Sequence, residues 1–232
     1  ERSCYGMSLQ ELVHTLQPVA STPLPVQRFA VLAAQMADGD VGMLESPFPA
    51  GTEGKQLSVP KELWRLVDAL WSSNALKEKD LFNSKADPAE VAMVRYSLDH
   101  GRDFPVGLSP HSICEALVSF LQALPQPLLP PESYPSSDVE ALNMRAFCRK
   151  FLEELPPLNY NVFVYVLSFM REVLSELNYN RCTPLLLANV CVNCMMYATD
   201  EEHLSKDEKQ KRINKTVYMQ SIIIDLLTTP SL

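Results

Sequence analysis

From Pro60 onward, apolar residues recur every three or four positions, the spacing that places them on one face of an α-helix. Several of these stretches open with a proline or a capping residue, as at Asp87-Pro88, Ser109-Pro110 and Thr183-Pro184. No alternating apolar–polar run of strand period competes with this pattern. It predicts an all-α domain over residues 59–232. The predicted helices begin near residues 60, 87, 109, 137, 159, 183 and 206, and the last ends near residue 227.

The first 58 residues have a different pattern. Ser8 and Glu11 stand at capping-box spacing and predict a short helix. Residues 17–58 are rich in proline and glycine and predict an irregular linker, with one helix near Val26–Met36. The chain is thus predicted to be a helical bundle preceded by a short helix and a linker. Its segments are residues 1–16, 17–58 and 59–232.

The composition of the 232 residues is that of a globular protein, with 47% hydrophobic and 21% charged residues. The net charge is -8 and no concentrated positive stretch occurs, so a nucleic-acid partner is not expected. The apolar runs are too short to span a bilayer, so direct membrane insertion is not expected. No basic and then apolar leader opens the sequence, and a cytoplasmic location is expected.

Motifs for enzyme chemistry are missing from the sequence. It contains no GxSxG, HExxH, GxGxxG or GxxxxGK[ST] motif, and its four histidines are dispersed. Cys191 and Cys194 form a CxxC, but no second pair at metal-ligand spacing accompanies it, which favours a packing role over a zinc or redox role. Composition and periodicity therefore predict a soluble helical domain and no reaction.

Three blocks of sequence carry more information: VPKELW with DLFN (residues 59–64 and 80–83), FLQALPQPLL (residues 120–129), and LPPLN followed by NRCT and LLAN (residues 155–159 and 180–189). In this order they resemble the RhoGAP domain, and with the opening CYGMSLQEL they resemble the RhoGAP-like domain of the type II inositol polyphosphate 5-phosphatases. The resemblance implies a RhoGAP-like helical fold without a cofactor. It also implies that residues 1–16 are the exit from a preceding ASH-type β-sandwich.

The departures from the family pattern concern its polar, GTPase-facing positions. The catalytic arginine of the family falls on Asn83, and its further Lys, Arg and Asn fall on Val118, Gln122 and Leu186. An arginine finger is worth on the order of 10³–10⁵ in rate, which a neutral, shorter asparagine does not supply. The resemblance therefore implies a catalytically inactive domain. Its GTPase-facing residues would be Asn83, Val118, Gln122, Asn180 and Leu186.

The resemblance also implies partners. These are Rho-family GTPases, the Rac class first, and helical peptides of endocytic adaptors that carry Phe and His, with recruitment to endosomal and Golgi membranes through such partners. Two other hypotheses stay open. The domain is an active GTPase-activating domain that uses a different arginine, such as Arg95 or Arg102, or it is a structural spacer.

A peptide site is expected around Trp64. On a helical wheel the apolar residues of this helix span an arc of about 160°, wider than the roughly 100° that one core needs, with Trp64 at its edge. The resemblance implies a groove formed by Trp64 and Val67 with Leu12 and Cys4 of the N-terminal segment. The alternative is that Trp64 is a core residue that packs under the linker or against Leu9 and Leu12.

Overall fold

The computed structural model describes residues 3–12, 16–18, 58–130, 148, 151–196 and 205–228. Its regular structure is almost entirely helical, which confirms the predicted all-α class. The strands are β1 (Leu16–Pro18) and β2 (Ser58–Pro60), and the helices are α1 (Lys61–Ser72), α2 (Pro88–Asp99), α3 (Pro110–Gln122), α4 (Pro157–Ser175), α5 (Leu177–Asn180), α6 (Pro184–Met195) and α7 (Lys206–Thr228), with a 3₁₀ turn at Ala75–Lys77.

The helices begin where the capping signals indicated. The Asp87 carboxylate accepts a hydrogen bond from the Ala89 N–H at 2.8 Å, and the Thr183 hydroxyl accepts one from the Leu186 N–H at 3.2 Å. Each satisfies a backbone donor that the first helical turn leaves free. The helices expected at Val26–Met36 and from residue 137 lie outside the described residues, although residues 151–154 at the end of the latter are helical.

The two short strands are a correction to the sequence analysis, which predicted none. They pair antiparallel, with Leu16 opposite Pro60 and Pro18 opposite Ser58. The pairing therefore places the two ends of the predicted linker side by side. Both strands also contact α1.

The N-terminal segment, residues 3–12, is part of the helical core. The Tyr5 hydroxyl donates to the Ala116 carbonyl at 3.1 Å, and its ring meets Phe120 edge-on at 5.6 Å. The predicted capping box forms, since the Glu11 carboxylate accepts from the Ser8 N–H at 2.8 Å and the Ser8 hydroxyl accepts from the Glu11 N–H at 3.2 Å.

The central core is built from α3, α4 and α6. Helix α3 packs against α1, α2 and α6, whereas α4 packs against β2, α6 and α7. Helix α6 is a shared neighbour of α3 and α4. Apolar residues that recur at helical spacing along and just after α3, and along α4, are buried in this core: Leu117, Phe120, Leu121, Leu124, Phe163, Val166, Leu167 and Met170.

Truncation of this core should cost stability in proportion to the cavity it leaves. We expect Phe120→Ala and Leu167→Ala each to lower the free energy of unfolding by about 2–5 kcal/mol, because both side chains are buried. Urea denaturation measures the change. Val106→Ala is the control, since Val106 is fully exposed and should shift the midpoint little. A loss below about 1 kcal/mol for both core variants would contradict the assigned packing.

Candidate functional site

Asn83, where the resemblance places the catalytic arginine of the family, lies in a tight turn between α1 and α2. Asp80 has a left-handed backbone, with a φ of 55°, and its carbonyl accepts hydrogen bonds from the Asn83 N–H at 2.8 Å and the Ser84 N–H at 3.0 Å. The Asn83 side chain is exposed. The turn therefore presents residue 83 to a partner, although the residue itself is a neutral amide. We call residues 75–84 the finger loop.

The finger loop is fastened by Asn180, and this corrects the prediction that Asn180 faces a GTPase. The Asn180 side chain is fully buried. Its amide nitrogen donates to the Leu76 carbonyl at 2.8 Å and the Val173 carbonyl at 2.6 Å, and its amide oxygen accepts from the Cys182 N–H at 2.7 Å. Its own carbonyl accepts from the Asp80 N–H at 2.8 Å. Since these bonds occupy the side chain inside the core, Asn180 positions the loop and does not contact a partner.

A groove of about 240 Å³ lies beside Asn83, between the finger loop, α3 and α6. It brings together Val118 and Gln122, two of the positions at which the sequence departs from its family. Leu186 does not line the groove but precedes Val190, which does, by one turn of α6. The lining residues are Leu81, Phe82, Ser84, His111, Cys114, Glu115, Val118, Gln122, Val190 and Asn193.

Polar contacts hold the walls of the groove in place. The Gln122 side chain donates from Nε2 to the Asn193 carbonyl at 3.3 Å and so links α3 to α6. His111 Nδ1 lies 3.2 Å from the Leu81 carbonyl, and its Nε2 lies 3.9 Å from the Glu78 carboxylate. The groove is therefore bounded by a loop, α3 and α6 that are bonded to one another.

The groove contains no cation of its own. None of its lining residues in the described part of the chain is Lys or Arg. The two arginines named as substitutes for the finger have other contacts: the Arg95 guanidinium lies 4.4 Å from the centre of the Tyr5 ring, and that of Arg102 lies 5.4 Å from the centre of the Tyr96 ring. Neither arginine lines the groove.

The cysteines near the groove are buried thiols. Burial raises the pKa of the Cys114 thiol well above its ordinary value. Burial also raises the pKa of Cys182, although the backbone N–H groups of Phe82 and Leu81 oppose the shift. A thiol with a raised pKa is a poor nucleophile and a poor metal ligand. Within the described ranges, no group of His, Cys, Asp and Glu is arranged to hold a metal ion.

The predicted peptide site is largely buried. Cys4, Leu12 and Val67 are 7%, 1% and 6% exposed, and they belong to the core against which Trp64 packs. Three of the four predicted residues thus stabilise the fold and are not on the surface, which is a correction. Trp64 itself is half-buried, and its indole N–H is buried without a hydrogen-bond partner.

Tyr165 on α4 has the same feature. Its hydroxyl is also buried without a hydrogen-bond partner among the described residues. Burial and, secondly, the charge of Asp68 raise the pKa of this phenol.

Several groove residues were missed by the sequence analysis, although a signal for them existed. His111, Glu115, Val118 and Gln122 follow one another at intervals of four, three and four, which is one stripe of α3. Because the resemblance places Val118 and Gln122 at a partner face, the spacing also predicts His111 and Glu115 on that face. Asn193, in contrast, is one turn from Val190 on a different helix, and only the fold brings it to the groove.

The described residues thus form a helical domain with an exposed turn beside a groove. The RhoGAP domain family matches residues 60–200, which is more than half of the chain, and the chain belongs to this family. The chain is 29% identical over 211 residues to the mouse (Mus musculus) type II inositol 1,4,5-trisphosphate 5-phosphatase, covering 90% of this chain and 20% of that protein. It is also 29% identical over 201 residues to mouse Rho GTPase-activating protein 8, covering 80% and 43%.

Solved structures agree with this fold. Human Rho GTPase activating protein 15 superposes with a TM-score of 0.59 at 17% identity, covering 73% of this chain and 81% of that one. The BH domain of GRAF, the GTPase regulator associated with focal adhesion kinase, gives a TM-score of 0.58 at 16% identity, covering 72% and 88%. In the described parts of the chain, no helix has both the length and the apolar character needed to cross a membrane.

The role assigned to Asn180 can be measured. We expect Asn180→Asp to lower the free energy of unfolding by about 2–4 kcal/mol, because the carboxylate cannot donate to the Leu76 and Val173 carbonyls and would be buried beside them. Urea denaturation gives the change, and amide exchange should rise in the finger loop. Asn178→Asp is the matched control, since Asn178 is exposed two residues away. Equal stability of the two variants would show that the Asn180 side chain does not hold the finger loop in place.

Proposed function

We propose that this domain is a protein-interaction module that binds Rho-family GTPases, the Rac class first, without accelerating their GTP hydrolysis. The observation that carries the proposal is Asn83, an exposed neutral amide at the tip of a finger loop beside a groove that no Lys or Arg lines in the described chain. A phosphoryl-transfer transition state gains its stabilisation from positive charge at this point. We expect a domain that presents this loop without the positive charge to bind a GTPase but not to accelerate its GTP hydrolysis.

The competing function is an active domain that uses another arginine. Arg95 and Arg102 are the candidates from the sequence, and each instead has its guanidinium against a tyrosine ring away from the groove lining. Moving either would sacrifice that contact, worth about 0.5–1 kcal/mol at an exposed site. We therefore favour the inactive interaction module. This function fits the apolar side chains at Val118 and Leu186, where polar residues of active RhoGAP domains are expected to contact the GTPase.

The larger protein we propose is a type II inositol 5-phosphatase, of which this chain is a C-terminal part. The chain spans about a fifth of the mouse phosphatase it resembles, so the phosphatase reaction belongs to the remainder of such a protein. In this setting the domain recruits the enzyme. We propose that it does so from the cytoplasm to endosomal and Golgi membranes, through its bound partners.

A second surface for recruitment is proposed around Trp64. The partner there is an amphipathic helical peptide of an endocytic adaptor that carries Phe and His. Its Phe packs on the exposed part of the half-buried indole of Trp64. Trp is among the residue types most often found as interface anchors, which supports Trp64 in this role.

Hydrolysis assays test the inactive-module proposal. We expect the purified domain, at stoichiometric concentration, to leave the GTP hydrolysis rate of Rac-class and Rho-class GTPases unchanged, while a pull-down retains the GTPase. A working arginine finger gives about 10³–10⁵-fold stimulation and is the positive control. Stimulation in that range by this domain would rule the proposal out.

The linked expectation concerns Asn83→Arg. The variant should recover little stimulation, less than about tenfold, because Val118, Gln122 and Leu186 still lack the polar groups that position a GTPase. A single-turnover hydrolysis assay measures this. Asn83→Lys is the matched control, since it adds the same charge without the planar donor fork. Full activity of Asn83→Arg alone would show that the other three positions do not matter.

Trp64→Ala tests the peptide surface. The variant should abolish binding of an adaptor peptide with Phe and His while it leaves the circular dichroism spectrum and GTPase binding intact. Fluorescence anisotropy with a labelled peptide gives the affinity. Tyr96→Ala is the control for loss of an exposed aromatic residue, since Tyr96 lies on α2 and is 48% exposed. Peptide binding by Trp64→Ala, or its unfolding, would place the site elsewhere.

A further inference from the structure

The charge at the groove is the opposite of the charge that a GTPase-activating site offers. Its lining includes the exposed carboxylate of Glu115, and Glu78 lies beside it through His111, whose Nε2 is 3.9 Å from the Glu78 carboxylate. The lysines of the neighbouring loop, Lys79 and Lys85, are exposed and do not line the groove. A partner group that enters it therefore meets net negative charge.

The size and walls of the groove indicate what kind of group fits. Its volume of about 240 Å³ is below the roughly 300–1,000 Å³ of small-molecule sites and suits one side chain. Phe82, Val118 and Val190 give it apolar walls. Long side chains with a charged end lay an apolar stem along such walls and keep the charge at the rim. Lys and Arg are the side chains with this character and positive charge.

Acceptors for a positive end are available at the groove. The Glu115 carboxylate has only a 3.5 Å contact with the Ser119 hydroxyl, which leaves most of its acceptor capacity unused. Gln122 donates one of its two Nε2 hydrogens to the Asn193 carbonyl, and its amide oxygen is a further acceptor. A guanidinium or ammonium group entering past Val118 would meet both.

We propose that this groove receives a Lys or Arg side chain from the bound GTPase. The GTPase then supplies the positive charge and this domain the negative charge, which is the reverse of an arginine finger. The inference rests on the proposed function, because it takes the Asn83 face as the GTPase-binding face. The partner chemistry it names is a basic side chain on the GTPase surface. Val118 then contributes to binding, because its apolar side chain packs against the stem of the incoming residue. A lysine at position 118 would repel the charged end of that residue.

The test is Glu115→Gln, which keeps the shape of the side chain and removes its charge. We expect the affinity for a GTP-loaded Rac-class GTPase to fall on the order of fivefold at low salt, and the salt dependence of binding to become shallower. Glu115→Lys should weaken binding further. Asp103→Asn is the matched control, since Asp103 is an exposed acid that does not line the groove, and it should bind as the unchanged domain does.

The outcomes separate the two proposals. If the unchanged domain binds no Rho-family GTPase, the proposed function fails. If the unchanged domain binds and Glu115→Gln binds equally well from low to high salt, the GTPase interface stands and the basic-side-chain inference is overturned. Charge reversal gives stronger support. One Lys→Glu or Arg→Glu variant of the GTPase should bind Glu115→Lys more tightly than the unchanged GTPase does. The same GTPase variant should bind the unchanged domain more weakly.

Discussion

The buried side chain of Asn180 is the constraint on which the functional face depends. The finger loop buries Ala75 and Leu81 in the core, and its backbone polar groups also need partners. Asn180 provides two of these partners about a hundred residues away in sequence, since its side-chain amide donates to the Leu76 carbonyl and its backbone carbonyl accepts from the Asp80 N–H. The same side chain donates to the Val173 carbonyl near the end of α4 and accepts from the Cys182 N–H. A fully satisfied buried amide of this kind specifies one arrangement, because any other leaves donors and acceptors unpaired. The loop is therefore held in place whatever side chain stands at residue 83.

Positions on this face differ in what they contribute to the fold. Asn83 is exposed and Val118 is half-buried, so substitution there costs the fold little. Asn180 and the core residues of α3 and α4 are buried, so replacing them costs the fold directly. A change at Asn83 or Val118 therefore alters what the face offers a partner while the groove is still held between α3 and α6 by the bond from Gln122 to Asn193.

Much of the fold was predictable from local signals, because proline and capping residues mark where helices begin and apolar spacing marks what they bury. The long-range features were not. The β1–β2 ladder has three residues a side and joins segments some forty residues apart, which no periodicity reveals. Asn180 sits in the polar string NYNR, which looks like a surface turn, and its burial arises only from distant carbonyls. Likewise, Cys4 and Leu12 seemed free to form a groove because a wheel drawn for α1 alone cannot show that the N-terminal segment packs into the same core.

The two proposed surfaces lie on one continuous part of the chain, and this limits how they can communicate. Helix α1 carries Trp64 and leads into the finger loop, and the loop is bonded to Asn180 at Leu76 and at Asp80. Communication between binding sites requires an element with two arrangements that both ligands bias. In the residues the structure describes, the connection is instead a helix with a buried face followed by a clamped loop. A peptide at Trp64 and a GTPase at the groove should thus bind independently, and the domain gains from holding both through avidity at a membrane, where the second contact forms at high effective concentration.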